Sequence, residues 1–181
     1  ALTGIDATVI TIEVNINQGV NFHMVGLPDN AVKESHQRIH SALKNNGYKI
    51  PVKEITINMA PADIRKEGSA FDLPIAIGIM AASEQMMSDK LNNYMMLGEL
   101  SLDGSLNPVK GVLPIAIHAK KSGFKGIILP DENALEAAVV DGLEVFGATS
   151  IQEVVSFLSD TDLSTIKKYE IDVEKEFYQK Q

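Results

Sequence analysis

Asn58 to Ala82 reads NMAPADIRKEGSAFDLPIAIGIMAA, a strand end, a charged glycine-bearing loop and a helix with no polar face. Ile75 to Ala82 follow one another without a charge. A helix apolar all round is buried on every side, so the rest of the domain wraps it. At roughly ten residues it is too short to span a bilayer. Asp63 to Asp72 before it is crowded with Asp, Arg, Lys, Glu, Gly and Ser. Asp72 is the expected N-cap, because Pro74 then falls in the first turn, where a missing N–H costs nothing. A polar loop feeding a buried helix suits a nucleophile or an anion site. It equally suits a well-capped structural turn, and both readings stay open here.

Upstream, Ala7 to Asn17 alternates with period two, with Thr8, Ile10, Ile12, Val14 and Ile16 on one face, as a strand does. Gln18-Gly19 turns the chain into a second strand, Val20 to Val25. A helix is expected from about Asn30 to Asn46, with Val32, Ser35, Ile39, Ala42 and Leu43 inward and Gly47 at its end. Its outer face carries Lys33, His36, Arg38, His40 and Lys44, the most basic surface in the chain. That face reads as a solvated helix side or as an anion contact. His36 and His40 have the i, i+4 spacing of two metal ligands, with no third ligand placed by sequence. Val52 to Met59 is a third strand leading into the central loop.

Downstream, Ser83 to Asn93 is a connector, and Tyr94–Leu102 and Ser105–Val109 flank the hairpin signal Asp103-Gly104. Gly111 to Lys121 is a helix with Val112, Ile115, Ala116 and Ala119 inward. Then units alternate: strand Gly126–Leu129, helix Asp131–Asp141, strand Leu143–Phe146 and helix Ser150–Leu158, opened by the capping box Ser150-x-x-Glu153. This βαβα order implies parallel pairing. The fold class is α+β: a mixed sheet with packed helices, ending in a small βαβα lobe. One domain is expected over residues 1–158, followed by a linker over 159–181.

The chain has 181 residues, 45% of them apolar, and ample length for a core. Its net charge of −8 argues against a nucleic-acid binder over its whole surface, while leaving room for a local basic patch. Cysteine is absent, which excludes disulfides, thiol catalysis and cysteine–zinc sites and agrees with a cytoplasmic setting. No run is long enough for a membrane span, and no secretory signal is seen; both ends read as cut. No Gly-x-x-x-x-Gly-Lys-Ser/Thr P-loop, Gly-x-Ser-x-Gly or His-Glu-x-x-His is present. The groups left for chemistry are Asp63, Arg65, Lys66, Glu67, Ser69 and Asp72 in the central loop, with Glu99, Asp103 and Lys110 near the hairpin. A serine activated by lysine needs that lysine desolvated. Lys110, between Pro108 and Gly111, is expected in a solvated turn. Arg65, Lys66 and Lys110 suit either a salt-bridged loop or a bound phosphate.

Several motifs in order carry a resemblance. They include Val25-Gly26-Leu27-Pro28-Asp29, Ala31-Val32-Lys33-Glu34-Ser35, Asn58-Met59-Ala60-Pro61-Ala62-Asp63 and Lys66-Glu67-Gly68-Ser69-Ala70-Phe71-Asp72-Leu73-Pro74. Gly4-Ile5-Asp6-Ala7, Leu97-Gly98-Glu99-Leu100-Ser101-Leu102-Asp103-Gly104 and Gly111-Val112-Leu113-Pro114-Ile115-Ala116 add to them. Together they resemble the N-terminal domain of the ComM/YifB-type AAA+ ATPases, often described as magnesium-chelatase-like, from Ala1 to about Leu158. That domain is in turn similar to the proteolytic domain of Lon proteases. In register with the Lon serine and lysine motifs stand Ala70 and Leu113, which cannot form a nucleophile–base pair. Ser69 lies one position away from the serine's place.

The resemblance implies a non-catalytic Lon-protease-like domain. It implies a parent protein that uses ATP and magnesium in an AAA+ domain of the same polypeptide, forms a hexamer and processes DNA by branch migration. No cofactor or metal is expected in this chain. Lys33, Arg38, Lys44, Arg65, Lys66 and Lys110 are the expected contacts to DNA or a partner, with Asp63, Glu67, Ser69, Asp72 and Glu99 forming the central loop cluster. Alternatives are a protein-interaction module recruiting partners to the ring, and a residual Ser/Lys peptidase. Magnesium insertion into a porphyrin rests on the family label alone.

Overall fold

The computed structural model describes residues 2–3, 6–160 and 165–171. Short strands β1 (Leu2–Thr3) and β2 (Asp6–Ala7) form a hairpin. β3 (Thr11–Asn17) alternates exposed and half-buried residues, and β4 (Phe22–Val25) follows. The helix expected at 30–46 arrives as two pieces, α1 (Asn30–Lys33) and α2 (Ser35–Asn45), meeting at Glu34. Val32, Ser35, Ile39, Ala42 and Leu43 are all buried, as the apolar spacing required. β5 (Glu54–Ala60) runs between its neighbours, antiparallel to β3 and parallel to β4. That three-stranded mixed sheet buries Ile55, Ile57 and Met59 on its inner face.

α3 (Asp72–Ala82) lies against that face, with Leu73, Ile75, Ala76, Ile77, Ile79 and Met80 buried. β6 (Tyr94–Met96) and β7 (Glu99–Leu100) come next, and β8 (Leu106–Asn107) pairs antiparallel with β7. The single strand expected over 94–102 is therefore divided at Gly98. A Cβ there would come within 2.9 Å of a Leu106 methyl. Gly98 N–H donates to Ala70 O at 2.9 Å, and its own carbonyl accepts from Leu73 N–H at 3.1 Å. The residue thus ties the late sheet to the start of α3.

α4 (Val112–Lys121), β9 (Gly126–Pro130), α5 (Ala134–Ala138), β10 (Glu144–Ala148) and α6 (Ile151–Leu158) supply the βαβα unit. The helix expected at 131–141 is shorter, a 3-10 turn over Asp131–Asn133 leading into α5. β6, β9 and β10 are parallel. Ser150 caps α6 as expected, accepting from Glu153 N–H, but the Glu153 carboxylate turns back to Thr149 N–H at 2.8 Å. Within the segment expected as a linker, β11 (Lys167–Tyr169) joins β10 as an antiparallel edge. Residues 161–164 and 172–181 of that segment lie outside the described residues. Two apolar clusters result. One surrounds α3, and the other fills the space between α4, α5 and the late sheet. Among the described residues no helix is long and apolar enough to cross a membrane.

Gly78 is the tightest point of the α3 contact, since a Cβ there would stand 2.6 Å from the Val14 Cγ2. Glycine in mid-helix costs about 1 kcal/mol against alanine, and the close approach of β3 explains its presence. Gly78→Ala is expected to lose about 1–2 kcal/mol in urea unfolding, overpacking of ~1–3 kcal/mol outweighing the propensity gain. Adding Val14→Ala should then cost less than it does alone, and strict additivity of the two would refute the clash.

Candidate functional site

The central loop and the N-terminus of α3 bring the expected loop residues to one place, but as a latch. Asp72 is fully buried, and it is not the N-cap. Helix α3 begins with Asp72 itself, and Phe71 holds the cap position without a side-chain bond. The free N–H groups find other acceptors: Asp72 N–H donates to Ser69 O at 3.2 Å and Leu73 N–H to Gly98 O at 3.1 Å. The Asp72 carboxylate is thereby released for longer-range partners. Its Oδ1 accepts from Ser35 Oγ at 2.5 Å and Arg38 Nη2 at 3.0 Å. Its Oδ2 accepts from Arg38 Nε at 2.6 Å and Leu100 N–H at 3.0 Å. The two Arg38 bonds form the bidentate fork that suits guanidinium and carboxylate. Arg38 also donates to Ala31 O at 2.8 Å. The hydrogen bond to Asp72 raises the Arg38 pKa further above its ordinary value.

Arg38 therefore does not belong to the outward basic face. It points inward from α2, leaving 18% of its side chain exposed. Lys66 is a second correction. It was expected as a surface contact and is instead fully buried. Its ammonium donates to Gly26 O at 2.8 Å and to Pro61 O. Burial pulls its pKa below the ordinary lysine value, with Asp63 opposing the shift. Gly26 makes this possible: its φ is +110°, and a Cβ would sit 2.2 Å from Met59 O. The loop backbone is bolted to the same turn, Lys66 N–H to Leu27 O at 3.0 Å and Asp29 N–H to Lys66 O at 2.9 Å. Asp29 caps α1 through Val32 N–H at 2.8 Å and also accepts from Gly68 N–H at 3.2 Å.

The remaining loop residues stay outside this latch. Asp63 is exposed, and Arg65 pairs with Glu67 at 3.4 Å, both largely in solvent. Glu99 accepts from Asn107 Nδ2 at 3.1 Å. Ser69 is half-buried, and Ala70 packs against the second apolar cluster. Leu113 is half-buried on α4 and Lys110 is exposed before it. The turn at Lys110 is held by Asn133, which exchanges hydrogen bonds with Val109 N–H and O, each at 2.9 Å. Asn133 is buried, and sequence reasoning missed it because a lone Asn after Asp131 and Glu132 reads as helix surface.

On the outer side of α1 and α2, Lys33, His40 and Lys44 are exposed. His36 lies flat on Phe22, ring centroids 3.9 Å apart and planes 5° from parallel. Burial, and then neighbouring His40, lower the His36 pKa from 6.5. Among the described residues no group of three or more His, Asp or Glu side chains converges as metal ligands would.

Residues 12–133 match the family model described as subunit ChlI of Mg-chelatase. The chain is 46% identical over 159 residues to the uncharacterized protein YifB of Escherichia coli K12, covering 87% of this chain and 31% of that protein. It is 44% identical over 160 residues to competence protein ComM of Haemophilus influenzae, covering 88% of this chain and 31% of that one. Lon protease 2 of Bacillus subtilis is 32% identical over 147 residues, 80% of this chain and 26% of the protease. The chain thus spans about a third of the length of the YifB and ComM relatives it matches.

Removing one partner of a buried ion pair strands the other charge, at about 3–5 kcal/mol. Asp72→Asn is expected to lose that much in urea unfolding. Glu34→Gln, at the exposed end of Arg38, should change stability by less than ~1 kcal/mol. Equal losses would sink the latch. His36 gives a pH signature. Between its lowered folded pKa and the ordinary 6.5 the unfolded chain binds a proton the folded chain does not, so stability falls as pH drops below 6.5. His36→Gln should flatten that fall, as followed by thermal unfolding at a series of pH values.

Proposed function

Because the chain belongs to the family described as subunit ChlI of Mg-chelatase, we propose that it is the non-catalytic, Lon-protease-like domain of a magnesium-chelatase-like AAA+ ATPase. The observation that carries this is the fate of the central loop. Its lysine is buried among carbonyls and the Asp72 carboxylate is engaged by four donors, so both are committed to architecture. At the Lon serine's place stands Ala70, packed against apolar side chains. These residues do not fit ATP and magnesium either, since the loop's lysine is turned into the protein and no P-loop is present. ATP and magnesium belong to the remainder of the parent polypeptide.

The parent is then a cytoplasmic, hexameric, ATP-dependent motor that processes DNA, and this domain presents nucleic acid to it. With Arg38 and Lys66 turned inward, the candidate DNA-facing cations reduce to Lys33 and Lys44 on the α1–α2 face, and Arg65 and Lys110 near the loop, all exposed. A second reading, recruitment of a protein partner, is favoured by Leu135 and Val139, which stand 62% and 57% exposed one turn apart at α5.

Lys33→Glu with Lys44→Glu in the full-length parent should weaken branched-DNA binding and flatten its salt dependence by about 0.9 in log–log slope for each phosphate no longer neutralised. ATP hydrolysis without DNA should be unchanged. Binding and slope that survive both reversals would refute the nucleic-acid assignment and leave partner recruitment. Peptide hydrolysis lost in Ser69→Ala would overturn the non-catalytic reading.

A further inference from the structure

The stacked pair on the basic face is part of a built cleft. Phe22 and Met24 come from the edge strand β4, and Lys33 and His36 from the helices that cross it. Together they line a cavity of about 250 Å³. That is below the ~300 Å³ where pockets for drug-sized ligands begin, so it takes one small ring system. Phe22 and His36 are both half-buried, so the stack keeps solvent-facing surface. Lys33 is exposed, and among the described residues it has no ion-pair partner.

The charge around the cleft is the reverse of the chain's average. In a protein of net charge −8, residues 30–45 hold a single carboxylate, Glu34, which leans toward Arg38 at 3.5 Å. Asp29 is occupied with the backbone N–H groups of Val32 and Gly68. His40 and Lys44 extend the stripe beyond His36, reaching about 12 Å along the helix at 1.5 Å per residue. A flat, half-buried aromatic pair beside Lys33, with Lys44 further along the helix, fits a ring that carries a phosphate on a chain. Duplex bases hide their faces in the stack, whereas unpaired bases offer them to aromatic and histidine side chains.

We infer that the cleft between β4 and α2 takes one unpaired base of a single-stranded nucleic acid, stacked on the Phe22–His36 pair with Lys33 at the adjoining phosphate. The inference rests on the nucleic-acid reading above and sharpens it from charge contact to base contact. Lys33 and Lys44 track the backbone, and the stacked pair holds a base without regard to its identity.

The test is fluorescence anisotropy on the 181-residue chain at low salt. The probes are oligothymidylate of about twelve nucleotides, within the ~4–16 such sites cover, and an abasic strand of the same length. Wild type should prefer the base-bearing strand by roughly 5- to 150-fold, the range for one stacked base. Phe22→Leu and His36→Ala should each abolish that preference, and His36→Tyr should keep it. Lys33→Glu should weaken both strands alike. If Phe22→Leu fails to fold, the His36→Ala and His36→Tyr pair decides. Equal binding of both strands, weakened by Lys33→Glu, would overturn the stacking site and leave the charge reading standing. No binding of either strand would overturn both. Free AMP binding as tightly as the oligonucleotide would overturn the strand assignment in favour of a mononucleotide site.

Discussion

The buried Asp72 carboxylate is the constraint on which the first half of the structure hangs. It joins α3, α2 and β7 through Ser35, Arg38 and Leu100 N–H, partners that lie 28 to 37 residues from it in the chain. A carboxylate taken out of water costs several kcal/mol unless its lone pairs are satisfied. Four donors satisfy these, two of them from one guanidinium fork. The angle at which α2 crosses α3 is thereby specified more narrowly than apolar packing alone would specify it, since hydrophobic contact is non-directional.

Lys66 performs the matching task for the loop. Its side chain is fully buried, and its ammonium replaces water at the carbonyls of Gly26 and Pro61. With Asp29 bonded to Gly68 N–H and Lys66 to the Leu27–Asp29 backbone, the loop is attached to the turn after β4 at several points. In a loop rich in charge, Lys66 and Asp72 thus serve as fasteners, while Asp63, Arg65 and Glu67 stay in solvent. Cations also remain in solvent on the outer side of α1 and α2, at Lys33 and Lys44.

That division suits a domain holding about a third of the length of its YifB and ComM relatives. Similarity to a Lon protease extends over 80% of the chain, so the shared feature is the fold, whereas function is a property of the side chains mounted on it. The motif resemblance puts Ala70 and Leu113 at the protease's serine and lysine positions. Ala70 packs on the second apolar cluster, while the first contains residues of both sheets, Ile55, Ile57 and Met59 with Ile128, Phe146 and Ala148.

Periodicity made much of the fold legible in the sequence. The unbroken apolar run after Asp72 determined that α3 is central, and the spacing of Val32, Ser35, Ile39, Ala42 and Leu43 determined which face of α2 goes inward. Alternation in β3, the Asp103-Gly104 turn, the βαβα order and the Ser150 cap follow from equally local rules. What periodicity reports is the face a residue occupies, not the partner it finds there. Asp72 looked like a cap because a cap is the local use of an aspartate, but Ser69 O and the distant Gly98 O had already taken the first helix N–H groups. Arg38 and Lys66 looked like surface cations because the acceptors Asp72 and Gly26 O lie 34 and 40 residues away from them. The Phe22–His36 stack and the edge strand Lys167–Tyr169 depend in the same way on which strand is left at an edge. Local chemistry, written in the sequence, chose the elements. Which charges are buried and which stay in solvent was decided only by tertiary structure, because the energy of a charge depends on its partners and they converge only when the chain folds.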